Sequence, residues 1–171
     1  GQDLTSNTET FNNVTVSGVS VTLQAAADID GALAVNGGAT LIDNNLTLYL
    51  AGDADFTGGN LTATGSAVFD GTSLLTSASE VFNDLTVSGT SLTLQDTLTA
   101  AGNLTISAGE LDAGAPAPGN QINLAGNWTN GASFTPNGNL VVFDNAGGQT
   151  ITSGGTGAGK GFSSIQKSGS G

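Results

Sequence analysis

The chain repeats itself at long range. Phe11-Asn-Asn-Val-Thr-Val-Ser-Gly-Val-Ser-Val-Thr-Leu-Gln24 returns as Phe82-Asn-Asp-Leu-Thr-Val-Ser-Gly-Thr-Ser-Leu-Thr-Leu-Gln95, 71 residues later, with 10 of 14 positions identical. Leu33-Ala-Val35 matches Leu104-Thr-Ile106 at the same offset. Leu50-Ala-Gly52 matches Leu124-Ala-Gly126 and Val68-Phe69-Asp70 matches Val142-Phe143-Asp144, both offset by 74. A third copy begins at Phe162, and Gly1-Gln-Asp-Leu-Thr-Ser6 resembles Gly148-Gln-Thr-Ile-Thr-Ser153. Repetition at a fixed period specifies an architecture in which each unit covers its neighbour's apolar face. We read 1–171 as one continuous array: a partial copy over 1–10, repeats over 11–81 and 82–161, and the start of a third copy over 162–171.

Within each copy, short runs alternate apolar residues with Thr, Ser or Asn. Val14-Thr-Val16, Val19-Ser-Val-Thr-Leu23, Leu46-Thr-Leu-Tyr-Leu50, Leu85-Thr-Val87, Leu92-Thr-Leu94, Asn103-Leu-Thr-Ile106 and Gln121-Ile-Asn-Leu124 are of this kind. Period-two alternation rich in Val and Thr is a strand signal. Gly, Asn, Asp or Ser closes nearly every run, which supplies turns. Windows of good helix formers, such as Gln24–Asp28, are too short to stand alone. The fold expected is all-β, a parallel β-solenoid; the alternative is a pair of β-sandwich domains of roughly 75 residues each. Very short strands, abutting copies and only 5% aromatic residues favour the solenoid. At 20–25 residues per rung, each copy spans about three rungs and the chain about seven, or roughly 35 Å. Ala113–Gly119 reads as an extended loop inside a copy. No polar cap is legible at either end, so the array is expected to continue into further copies or to be covered by other subunits.

Composition excludes several functions. Fourteen acidic residues face two lysines, Lys160 and Lys167, for a net charge of −12. Nucleic acid is not an expected partner, because phosphate binding needs clustered cations. No apolar run is long enough for a membrane-spanning helix. Cys, His and Met are absent. Thiolate and Ser-His or Cys-His chemistry is therefore excluded, and the lack of oxidisable residues suits a long-lived extracellular material. No cofactor is expected.

Phe11–Gly18, Gly102-Asn-Leu-Thr-Ile-Ser-Ala-Gly-Glu-Leu-Asp-Ala-Gly114 and Leu124-Ala-Gly-Asn-Trp-Thr-Asn-Gly131 resemble repeats of large secreted bacterial surface proteins, the filamentous-haemagglutinin-like and autotransporter-type adhesins. The resemblance implies a right-handed solenoid stalk outside the cell, used for reach, adhesion or matrix formation. It brings no catalytic residues. The function expected is a structural or adhesive rod, either a stalk segment or a filament subunit. Its expected partners are further copies of its own repeat, and host or matrix glycans. The alternative is a β-helix that binds or cleaves carbohydrate.

Candidate sites are few. Asn13, Asn45, Asn60, Asn103 and Asn127 open Asn-X-Thr triplets, which are glycosylation acceptors in a secreted protein. The same triplet also reads as a strand start, with Asn turning the corner, the apolar residue inward and Thr outward. Stacked Asn side chains are expected to form a ladder. Asp28 with Asp30, and Asp53 with Asp55, are half of a calcium site by chemistry but match no calcium-loop spacing. Gly154–Gly161 approaches a phosphate loop but places Gly161 where Ser or Thr is required. Ice binding calls for Thr-X-Thr on every rung, which few rungs satisfy, Thr62-Ala-Thr64 and Thr97-Leu-Thr99 among them. Phe11, Phe69, Phe82, Phe143 and Phe162 recur in phase and are expected to stack up the core. Tyr49 and Trp128 occur once each, and an exposed ring at either place would suit a sugar.

Overall fold

Nearly every strand lies directly above the strand three places before it. The computed structural model describes residues 1–116 and 119–169, and Ala117 and Pro118 of the expected loop lie outside that range. The first turn comprises β1 (Gln2–Leu4), β2 (Thr10–Phe11) and β3 (Val14–Ser17). Above it run β4 (Val21–Leu23), β5 (Ala27–Ile29) and β6 (Leu33–Asn36), then β7 (Thr40–Ile42), β8 (Thr47–Leu50) and β9 (Ala54–Asp55). The fourth turn is β10 (Asn60–Thr62), β11 (Ser66–Phe69) and β12 (Thr72–Thr76). The fifth is β13 (Val81–Phe82), β14 (Asp84–Val87) and β15 (Ser91–Leu94). β16 (Leu98–Ala100), β17 (Leu104–Ile106) and β18 (Glu110–Asp112) form the sixth, and β19 (Ile122–Leu124), β20 (Trp128–Asn130) and β21 (Ser133–Thr135) the seventh. β22 (Leu140–Phe143), β23 (Ile151–Thr152) and β24 (Ser164–Lys167) follow.

All pairings are parallel, and they form three faces around one apolar core. The second face is a single sheet from β2 to β23 and the third runs from β3 to β21. The first face has two segments, β1-β4-β7-β10 and β13-β16-β19-β22-β24. Between them the Leu61 N–H donates to the Glu80 carboxylate at 2.6 Å, where a ladder bond to the next strand would otherwise run. The chain is therefore an all-β parallel solenoid. It makes about eight turns rather than seven, because a turn can be as short as the 18 residues separating Thr10 from Asp28. The longest, from Leu104 to Trp128, takes 24.

Alternation along each strand builds the core. Leu85 and Val87 are fully buried, with Thr86 facing out between them; Leu104 and Ile106 flank Thr105 in the same way. Burying one such aliphatic side chain stabilises the fold by about 1.5–3 kcal/mol.

The long sequence repeat is out of phase with the coil. Phe11 lies on β2 and Phe82 on β13; Val14–Val16 lies on β3 and Leu85–Val87 on β14; Leu50 lies on β8 and Leu124 on β19. Each step is eleven strands, and eleven is not a multiple of three. Matched segments therefore occupy different faces. The phenylalanine stack expected along the core is accordingly not continuous. Phe11 and Phe69 share the second face three turns apart, and Phe82 and Phe143 share the first face, again three turns apart. Phe69, Phe82 and Phe143 are buried, while Phe11 and Phe162 pack half-buried against the core. Phe82 meets Phe56 edge-on at 5.7 Å. Phe162 gathers Trp128, Phe134 and Phe143 at centroid distances of 4.9, 5.8 and 6.1 Å.

Several corners are type I′ turns. At Asn36–Ala39, Asp43–Leu46, Ser77–Glu80 and Pro136–Asn139 the fourth residue's N–H donates to the first residue's carbonyl, and both central residues have positive φ. Gly and Asn adopt that conformation readily, whereas Ala78 (φ 54°) and Ser79 (φ 73°) do so at a cost of roughly 1–2 kcal/mol per residue. Ala78→Gly is accordingly expected to stabilise the fold by about 0.5–1 kcal/mol, after the entropy that glycine gains on unfolding. Urea denaturation measures this, and a destabilised variant would show that the turn carries no strain.

Candidate functional site

The outward side chains of the second face form three columns, fixed by the strand register. The central column is Thr10, Asp28, Tyr49, Val68, Thr86, Thr105, Thr129 and Thr152 on successive turns. On its N-terminal side stand Thr47, Ser66 and Asp84, with Asn103, Asn127 and Thr150 continuing the line. On its C-terminal side are Asp30, Ala51, Asp70, Ser88 and Ser107, one residue or more beyond their strands.

The asparagine ladder lies here. The Asn103 N–H donates to Asp84 Oδ1 at 2.6 Å, the Asn127 N–H to Asn103 Oδ1 at 2.9 Å, and the Thr150 N–H to Asn127 Oδ1 at 2.8 Å. Each side chain thus supplies the acceptor that a corner backbone N–H on the next turn needs. The Asn103 Nδ2 also donates to Asp84 Oδ1 at 3.1 Å. Asn13 does the same for the Ala32 N–H at a different corner, at 2.8 Å. All five triplet asparagines are exposed. Their middle residues turn inward: Leu104 and Trp128 are fully buried, and Val14, Leu46 and Leu61 pack half-buried on the core. A sugar on Asn103 would have to break the Nδ2 bond.

The lower part of this face is acidic. Asp28, Asp30 and Asp70 lie near one another around Tyr49 and Ala51. Partial burial pushes the Asp70 carboxyl above its usual range; the charges of Asp28 and Asp30 add to the effect, and the bond to its own backbone N–H opposes it. Asp53 and Asp55 lie on the third face and are used locally. Asp53 Oδ1 accepts from the Leu74 N–H and Asp55 Oδ1 from the Thr57 N–H, both at 2.8 Å. The two aspartate pairs are thus not brought together. Among the described residues no group of three or more acidic side chains is placed to hold a metal ion.

The single aromatics part company. Trp128 is buried, its Nε1–H without a hydrogen-bond partner beside the rings of Phe134 and Phe162. Tyr49 is 38% exposed in the middle of the second face. The Gly154–Gly161 segment forms the third-face corner of the eighth turn: Gly159 O accepts from the Phe134 N–H and from Asn130 Nδ2, both at 2.8 Å. Lys160 Nζ donates to the Ala132 carbonyl, which ties it to the backbone of the turn below.

One buried carboxylate was not anticipated from the sequence. Asp43, 4% exposed at a corner between the first and second faces, accepts from the Thr64 and Gly65 N–H groups of the next turn at 2.9–3.1 Å. It also accepts from the Thr64 hydroxyl at 2.9 Å and the Asn45 N–H at 3.1 Å. Only the Thr64-Gly65 pair 21 residues later reveals its role. Compared with models of protein families, with curated proteins and with solved structures, the chain matches none.

Proposed function

We propose that the chain is a structural rod: a segment of an extracellular surface stalk, or a subunit of an extracellular filament, and not an enzyme. The observation that carries this reading is the unbroken eight-strand second sheet wound around a single apolar core. Parallel ladders along three faces resist bending because every turn is hydrogen-bonded to the next. An acidic exterior, with a net charge of −12, keeps such rods apart in solution. The absence of Cys and Met and the adhesin-like repeat phrases support placement outside the cell.

Arrays of one, two and four copies of the 71-residue unit test the reading. Eleven strands make three and two-thirds turns, so small-angle scattering should show each added copy lengthening the rod by about 18 Å at constant cross-section. A cross-section that grows with copy number, or a flexible-chain profile, would overturn it. Electron microscopy of the 171-residue chain separates the two variants, since only a filament subunit forms long fibres alone. Polysaccharide degradation that is lost on changing Asp28 and Asp30 would replace the non-enzymatic reading with the carbohydrate-cleaving one.

A further inference from the structure

We propose that the second face carries a track for a single neutral polysaccharide chain, running along the rod from Tyr49 to Thr152. This adds a ligand to the rod proposed above, and it stands or falls independently of whether the rod is stalk or filament.

The central column holds Tyr49, Val68, Thr86, Thr105, Thr129 and Thr152 on six successive turns. Four hydroxyls therefore repeat at the turn spacing of about 4.8 Å, comparable to the length of one residue in an extended sugar chain. Beside them the asparagine ladder fixes Asn103 and Asn127 through their Oδ1 atoms. Asn127 Nδ2 makes no hydrogen bond within the described residues. The polar groups are thus held in place before any ligand arrives, which reduces the ordering cost of binding.

Tyr49 is a separate pointer to the same ligand. It is the exposed ring on this face, in line with the threonines and two turns below Thr86. A flat exposed ring presents an apolar surface and a hydroxyl, which together match the C–H face and the hydroxyl edge of a sugar.

Size and charge narrow the occupant. Five turn spacings by three columns give about 300 Å², well short of the roughly 800 Å² that each partner of a stable protein complex covers. A second copy is therefore too large a partner for so small a patch, while a slender chain fits it. The ionisable groups along the track are all acidic: Asp70 beside Val68, with Asp28 and Asp30 near Tyr49, and Asp84 beside Thr86, whose carboxylate is engaged by Asn103. Both lysines are tied to backbone carbonyls, of Ala132 and Asn145. No cation is offered, so an anionic polymer is excluded, and a neutral one meets no charge to repel it.

The experiment is retention of the full chain on insoluble cellulose, chitin, β-1,3-glucan and starch. Tyr49→Ala and a Thr105→Glu, Thr129→Glu double variant are compared with Thr93→Val on the third face, with circular dichroism and thermal melting to confirm folding. The expected result is retention on at least one polymer, weakened about tenfold by Tyr49→Ala, abolished by the double variant and unchanged by Thr93→Val. Retention on none of the four, or equal retention by all variants, overturns the proposal. Freezing hysteresis without polysaccharide retention reassigns the track to ice and overturns it as well. Rod dimensions from scattering are unaffected by any of these outcomes, so failure here is distinguishable from failure of the rod reading.

Discussion

Replacing Asp43 by alanine should destabilise the rod by about 3–5 kcal/mol, as the Thr64 and Gly65 N–H groups lose their acceptor, and the Asn45 N–H one of its two, at a site almost closed to water. The carboxylate joins its own corner to the corner one turn above, so its loss acts on the stacking of turns and not on one loop. Asp43→Asn keeps one oxygen acceptor and should cost roughly 1–2 kcal/mol. Urea denaturation of the three proteins gives the ranking. If alanine and asparagine cost the same, and less than 1 kcal/mol, the corner does not depend on this side chain.

Gly71→Ala should cost about 3 kcal/mol through close approach of two backbones. A Cβ at Gly71 would lie 2.0 Å from the Ala51 carbonyl oxygen and 2.7 Å from its carbonyl carbon and Cα, all on the turn beneath. No flexible side chain can yield there, so the fourth turn must lift off the third. Gly18 is the contrast. It has φ of 72° with nothing within 4 Å of the added atom, and alanine there should cost only the 1–2 kcal/mol of left-handed strain. Hydrogen exchange should show faster opening at Ala51 and Asp70 in Gly71→Ala and at neither residue in the Gly18 variant. Unchanged exchange at the corner would mean that the turns tolerate a wider spacing.

Much of this fold is legible in the sequence because each strand carries its own signal. Leu85-Thr-Val87 and Leu104-Thr-Ile106 announce inward and outward positions without reference to anything distant. The assignment of strands to faces is not legible, because all three faces ask the same of a strand: apolar in, small polar out. The count of turns shares this fate, since corners vary in length and only the finished register tells an 18-residue turn from a 24-residue one. The strained pair Ala78-Ser79 gives no warning either, as neither residue favours positive φ. At the candidate site, the Asn-X-Thr triplets predict both the ladder and the direction of the apolar residue. Their alignment with Tyr49 becomes visible only when turns are stacked, because Tyr49 and Thr86 are far apart in the chain. Trp128, in a triplet like the others, gives no sign from its neighbours that it faces Phe134 and Phe162.

The eleven-strand step makes copying of the sequence act as a screw. Each duplication advances the pattern along the axis and swings it round by two-thirds of a turn, so a side chain repeated in every copy is dealt to the three sides in rotation. Three copies, or eleven complete turns, must pass before it faces the same way again. In a long array grown this way, a side chain that recurs once per copy is presented all round. Copying alone therefore does not extend it into one stripe along which two such rods could zip together.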